Sequence, residues 1–327
     1  MSDLSLQKLY DFFQVAALLE GSTKHRCRVA VNTMLRCFEA TMPADSLDGQ
    51  KICQWQLWCK SQGMSGSTIR SGFTAVAQVY KWGVEEKLLT LNPFSTAHKL
   101  RVDRQEVQTF AADEVTALCD AAAGLQRRDG SAQLRWYALL LTIRDTGVRI
   151  GEALNLRWED FDWDAEKLQI RYRPDKWGEY WTWGSKGDAD RRVPMGQELL
   201  VCCYRLREVA KWRYPILKRC TCERLQKSVG SLAEEIRKHP YQNLYREFRE
   251  IRKRANEQRK VPIRNGCFHQ LRKTAVSTWI AEGASLTDAQ YVAGHASMQT
   301  TRTYYVAVNA DRSIERIRAA NAAKWAR

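Results

Sequence analysis

Six residues between positions 149 and 304 share one chemical theme. Arg149, Lys186, His269, Arg272 and His295 are cationic or can move a proton, and Tyr304 carries a hydroxyl that can act as a nucleophile. A tyrosine that attacks a phosphodiester needs positive groups on the non-bridging oxygens, where charge concentrates in the transition state. It also needs a proton donor for the departing sugar oxygen. The set supplies both kinds of group, and it reads as a metal-free phosphoryl-transfer site suited to a DNA backbone.

The local sequence indicates how each group is held. Gly147 allows a sharp turn that projects Arg149, whose planar guanidinium can hold two phosphate oxygens, and Glu152 stands three residues on, where it could orient that arginine. Lys186 falls in the turn Gly184-Ser185-Lys186-Gly187-Asp188 between strand candidates. His269 and Arg272 are spaced i, i+3 on a predicted helix whose apolar face is Leu271, Ala275 and Trp279, so both are expected to point together away from the core. Taken singly, each is ordinary: a lone arginine after a glycine is usually a surface or salt-bridge residue, and a turn lysine is usually solvent-exposed.

Composition sets the frame. The 327 residues are 44% hydrophobic, enough for one or two cores, and 52 Lys+Arg against 37 Asp+Glu give a net charge of +15, which favours a polyanionic partner such as nucleic acid. Residues 201–260 alone hold 17 Lys+Arg against 7 Asp+Glu. The run Arg252-Lys253-Arg254 within them is read equally as a solvated helical face and as a DNA contact. No basic leader or long apolar run is seen, so a soluble, cytoplasmic protein without membrane contact is expected. The ten cysteines are scattered, with Cys27, Cys37 and Cys119 at apolar helical positions, as reduced core cysteines are. Cys220-Thr221-Cys222, with Cys202-Cys203 and His239, is the one spacing that invites a metal, but it lacks paired CxxC elements, and no cofactor or metal is expected.

Periodicity divides the chain. From Leu6 to Leu89 it is helical: Leu6, Leu9, Phe13 and Ala16 share one face, Cys27, Val31, Met34, Leu35 and Phe38 another, and Ile69, Phe73, Val76 and Tyr80 a third, capped by Ser65 or Ser67. The apolar pattern lapses after Asn92-Pro93 and resumes near Ala112. Helices follow over Val115 to Ala123 and Ala132 to Asp145, then a break at Gly147 and a short helix carrying Arg149. Strands are predicted at Lys167 to Tyr172, Tyr180 to Trp183 and Arg192 to Met195, with helix from there to the end. The fold class is therefore mainly α with a small antiparallel β-sheet. Its parts are a helical domain over 1–100, a linker over 101–109 and a mixed α/β domain over 110–327.

These motifs together resemble the tyrosine recombinase (phage integrase) family. Thr146-Gly147-Val148-Arg149-Ile150-Gly151-Glu152 is similar to its first arginine box. Ser185-Lys186-Gly187 with Arg191, Val193 and Pro194 is similar to its β-hairpin lysine motif, and His269-Gln270-Leu271-Arg272 to its HxxR motif, with Lys273 where a histidine usually follows. Gly294-His295-Ala296-Ser297 through Tyr304 is similar to its closing motif, in which the nucleophile lies nine residues after the histidine. Tyr304 is preferred to the adjacent Tyr305, since one residue turns a helical side chain by about 100°. Ser67 through Asn92-Pro93 is similar to the end of the family's helical (SAM-like) core DNA-binding domain.

The resemblance implies a site-specific recombinase or integrase that cleaves and rejoins DNA through a 3′-phosphotyrosyl intermediate without metal or ATP. It implies a double-stranded substrate with inverted half-sites and a homo-tetramer in the synaptic complex. The tail Ala307 to Arg327, expected to be helical, is read equally as docking on a neighbouring subunit and as folding back on its own domain. Arg149 and Arg272 would neutralise the phosphate, Lys186 protonate the 5′ oxygen, His269 help move the tyrosine proton and His295 hydrogen-bond a phosphate oxygen. No separate arm-site domain is expected ahead of the first helix. The alternatives are a type IB topoisomerase and a catalytically silent DNA-binding regulator of the same fold.

Overall fold

Amphipathic stripes become helices when their apolar faces can be buried against one another, and the first third of this chain does this four times. The computed structural model describes residues 4–17, 21–39, 41–101, 107–126, 134–154, 156–171, 190–209, 242–263 and 265–304. The chain divides into two compact units, Met1–Gln105 and Glu106–Arg327.

The first unit contains α1 (Leu6–Ala16), α2 (Gly21–Cys37), α3 (Gly49–Ser61) and α4 (Gly66–Glu85). Ser65 is the cap of α4, its hydroxyl accepting from the Thr68 N–H at 3.2 Å. Ile69, Phe73, Val76 and Tyr80 are buried in one core with Cys27, Val31 and Met34 of α2. The α1 stripe differs at its end: Ala16 is exposed and Ala17 is buried, because the chain leaves helical geometry at Ala17 and turns it inward with Leu6, Leu9, Tyr10 and Phe13. Gly83 lets α1 and α4 meet closely, since a Cβ there would stand 2.8 Å from Leu9 Cδ1.

The second unit runs α5 (Ala112–Ala123), α6 (Leu134–Thr146), α7 (Ile150–Leu154), β1 (Phe161–Asp162), β2 (Lys167–Ile170), β3 (Arg191–Pro194), α8 (Gln197–Val209), α9 (Gln242–Asn256), α10 (Phe268–Ala281) and α11 (Leu286–Ala293), with further helix over 298–304. Helix α6 is buried continuously from Ala138 to Ile143, as a helix apolar on all sides must be. Helices α5, α8 and α10 enclose it, and α9 packs on α5.

The strands form an antiparallel sheet in the order β1-β2-β3, with Phe161 opposite Leu168 and Ile170 opposite Arg191. Leu168, Ile170 and Val193 face the core, and the two-residue period of β3 sends Arg191 to the same buried side as Val193. Strand β1 has no counterpart in the sequence reading, because two residues are too few to show a period. The strand expected over Tyr180 to Trp183, and Cys220, Cys222 and His239, lie outside the described residues. Cys27, Cys119, Cys202 and Cys203 are buried and Cys37 is half-buried. Among the described residues, no cluster of three His, Cys, Asp or Glu could hold a metal ion, and no helix is long and apolar enough to cross a membrane.

Candidate active site

The last carbonyls of an α-helix have no intrahelical donor and carry the negative end of the helix dipole. Helix α11 ends at Ala293, where Gly294 takes the left-handed conformation (φ 64°, ψ 48°). Three consecutive carbonyls there are claimed by three arginines from three different elements. Arg191 Nε donates to Val292 O at 2.9 Å, Arg272 Nη2 to Ala293 O at 2.8 Å, and Arg149 Nη2 to Gly294 O at 2.7 Å. Gly294 suits this crowding, since a Cβ would stand 2.8 Å from Arg191 Cζ.

One carboxylate organises the same cluster. Glu152 is buried, and its Oε2 accepts from the Arg149 backbone N–H (2.8 Å) and from Arg191 Nη2 (2.7 Å). Its Oε1 accepts from Arg149 Nη1 (3.0 Å) and Arg191 Nη1 (3.2 Å). Burial alone would raise its pKa, but the Arg191 hydrogen bonds and charge, with Arg149, outweigh burial and hold it below the ordinary value. Arg149 precedes α7 and keeps 30% of its side chain exposed. Its approach is set by Gly147 (φ 58°), which ends α6 and sits so close to Trp279 that a Cβ would be 2.5 Å from Cη2.

Arg272 is 2% exposed, and its Nη1 donates to Gly147 O at 2.5 Å. Burial, then the neighbouring Arg149, lowers its pKa to about 10, which still leaves it charged at neutral pH. The expectation that Arg272 points away from the core is therefore corrected: α10 packs on both α6 and α11, and the side chain is carried inward to the carbonyls of Gly147 and Ala293. His269, one turn earlier on α10, is exposed at the surface, and its pKa is lowered by partial desolvation of its ring and by Lys273, Arg272 and Arg149.

His295 and Tyr304 lie side by side. Their rings stack at a centroid distance of 5.7 Å and an interplanar angle of 10°, and His295 Nδ1 is 2.9 Å from Thr301 Oγ1. Gln290 braces this turn, its carbonyl accepting the His295 N–H at 3.1 Å and its Nε2 donating to His295 O at 3.0 Å. Burial, then Arg272, Arg149, Arg191 and His269, lowers the His295 pKa to about 4, so the imidazole is neutral near pH 7. Tyr304 is 6% exposed, in a small core with Val276, Ile280, Ala289 and Ala293. Burial raises its pKa, and Arg272 and Arg149 act against that rise.

The structure thus gathers Arg149, His269, Arg272, His295 and Tyr304 into one electrostatic cluster. Lys186 and Tyr305 lie outside the described residues. Sequence reading quoted Arg191 and Thr301 within motifs but gave them no role. Two-residue alternation back from Val193 reaches Arg191, one residue before the predicted strand, and that was the available signal for the first; the second had none.

The phage integrase family model matches residues 108–312 of this chain. The chain belongs to that family. It is similar to tyrosine recombinase XerC of Halalkalibacterium halodurans, 28% identical over 244 residues that cover 74% of this chain and 72% of the relative. Tyrosine recombinase XerD of Mycobacterium leprae is 26% identical over 246 residues, 74% of this chain and 70% of the relative. Among solved structures, the Tn1549 transposon integrase in complex with a circular intermediate DNA has a TM-score of 0.71 at 17% identity, covering 92% of this chain and 95% of that one. A lambda integrase tetramer bound to a Holliday junction gives 0.65 at 15%, covering 93% and 78%. The fold is thus the integrase fold, and this family member is a tyrosine-type site-specific recombinase. The topoisomerase and silent-regulator alternatives find no support among these relatives.

Proposed function

We propose that Tyr304 is the nucleophile of strand cleavage and that Arg149 and Arg272 beside it receive the scissile phosphate. In this reaction the Tyr304 Oη–P bond forms and the P–O5′ bond breaks, leaving a 3′-phosphotyrosyl ester. The phenol proton leaves with the help of His269, and Lys186 supplies the proton that the 5′ oxygen takes up. Arg149 and Arg272 stabilise the charge that builds on the non-bridging oxygens, and neutral His295 hydrogen-bonds one of them. The ester conserves the bond energy, so rejoining is the reverse attack by a 5′ hydroxyl, without metal or ATP. The substrate is a duplex with inverted half-sites held by a homo-tetramer.

The single observation that carries this reading is the convergence of Arg149 and Arg272 on the carbonyls of Gly294 and Ala293, next to His295, whose ring stacks on that of Tyr304. Duplexes selected from a random library by binding to the full chain provide the substrate. Wild type should leave a protease-sensitive protein–DNA adduct after denaturation, Tyr304→Phe should leave none, and Arg272→Ala should form it about a hundred- to a thousand-fold more slowly. An undiminished adduct in Tyr304→Phe would refute the assignment.

A further inference from the structure

We propose that Arg191 is a positioning residue of the cleavage reaction, holding Glu152, and through it Arg149, in register with the α11 carbonyls that seat Arg272 and lead into His295. The proposal rests on the reading of Arg149 and Tyr304 given above. Arg191 is 5% exposed, and all three of its guanidinium nitrogens are engaged within the protein: Nη1 and Nη2 on the two oxygens of Glu152, Nε on Val292 O. It is thus not placed to touch DNA, in contrast to Arg149, which keeps an outward-facing side while its inward bonds fix its angle.

The connections of Arg191 reach three elements at once. It opens β3, five residues after Lys186 in the chain, so it anchors the returning end of the β2–β3 connection. Its carboxylate partner sits in α7 and also accepts the Arg149 backbone N–H. Its carbonyl partner lies in the last turn of α11, next to the carbonyls bound by Arg272 and Arg149. A planar, bidentate guanidinium fixes both distance and angle, which a single ammonium does not. Misplacing a catalytic group by about 1 Å costs on the order of 100-fold in rate.

Single-turnover cleavage of a library-selected half-site, nicked so that cleavage is irreversible, tests this with the full chain. Arg191→Met should cleave about 100-fold more slowly per folded molecule, with half-site affinity close to wild type and a lowered melting midpoint, because buried Glu152 loses one of its two arginine partners. A second readout separates positioning from simple bracing. His295 is faced by Arg149, Arg191, Arg272 and His269, with Tyr304 stacked on it. Removing one positive neighbour favours its protonation, so the acid limb of the cleavage rate should move to higher pH. Arg191→Lys keeps the charge but not the three-way geometry. It should return the acid limb to the wild-type position while remaining about ten-fold slow.

Arg191→Met cleaving at the wild-type rate, or losing rate only in proportion to unfolded protein with an unmoved acid limb, overturns the proposal. If Arg191→Met does not fold, Arg191→Lys decides: wild-type cleavage by a folded Arg191→Lys protein overturns it. Tyr304→Phe run in parallel keeps the two ideas apart, since failure of wild type itself to form an adduct dependent on Tyr304 counts against the underlying reading instead.

Discussion

The two units bury different things. Among the described residues, the first unit's buried set is apolar apart from Gln56, whose amide is satisfied at both ends, by His98 O at 3.0 Å and the Leu100 N–H at 2.9 Å. The second unit buries Glu152, Arg157, Asp160, Arg191, Arg272 and His295 in addition to its apolar core. Buried charges are costly unless every group is paired, so a protein that only had to be stable would not choose them. Here four of the six sit around the C-terminus of α11, where chemistry needs fixed dipoles and excluded water. The first unit is held by area, the second by area plus a network that must stay complete.

The largest predicted effect falls on the first kind of stabilisation. Trp55 is 1% exposed at the centre of the four-helix core, and Gly72 gives it room on α4, where a Cβ would stand 3.3 Å from its ring. Trp55→Ala should destabilise the first unit by about 3–5 kcal/mol. For a unit of this size that lowers its midpoint by about 15 °C or more. Calorimetry of the full chain should show one transition displaced and a second unmoved. A single transition shifting as a whole would show that the two units melt together and that the contrast in burial does not divide their stability.

How legible this was depended on whether a feature has a period. Helices α1, α2, α4, α5, α6 and α10 could be read because apolar residues recur every three or four positions, and because Gly147 and Asn92-Pro93 punctuate them. The HxxR spacing showed that His269 and Arg272 share a helix face, but spacing does not say which side of a helix is enclosed. A charged residue is assigned outward by default, and Arg272 is inward because its acceptors are backbone carbonyls of Gly147 and Ala293. Backbone acceptors carry no sequence signature. The same reason hid the gathering point at Val292 to Gly294 and the role of Arg191, while the residue types of the site stood out from chemistry and order alone.

The second unit should fail in acid before the first. His295 has a folded pKa of about 4 against about 6.5 for an unfolded histidine. The unfolded chain therefore binds a proton between those values that the folded chain refuses, and stability falls as pH drops through that window. Above it, the histidine contributes nothing. The full difference amounts to about 3 kcal/mol. Glu152 acts lower down, since a depressed carboxylate gives its full contribution above its unfolded pKa and loses it as pH falls through its folded pKa. Melting followed from pH 7.5 to 4.5 should show the second transition falling more steeply than the first, with His295→Asn removing much of that slope. An equal slope in the variant would assign the acid sensitivity elsewhere.

The smallest effect sharpens the comparison most, because the same change can be made in both units. Ser65 caps α4 and Ser285 caps α11, each hydroxyl accepting a backbone N–H three residues on, at 3.2 and 3.0 Å. Replacing either by alanine should cost about 1 kcal/mol of stability. The consequences for cleavage should differ. Helix α4 belongs to the first unit and holds none of the site's groups, whereas α11 ends in the carbonyls that hold Arg149, Arg191 and Arg272. Ser65→Ala should leave the adduct-forming rate unchanged, and Ser285→Ala should lower it by at most about ten-fold, the limit set by the free energy of the cap. Equal rates in the two variants would mean that α11 serves the site only as a rigid support, and that its first turn is not coupled to its last.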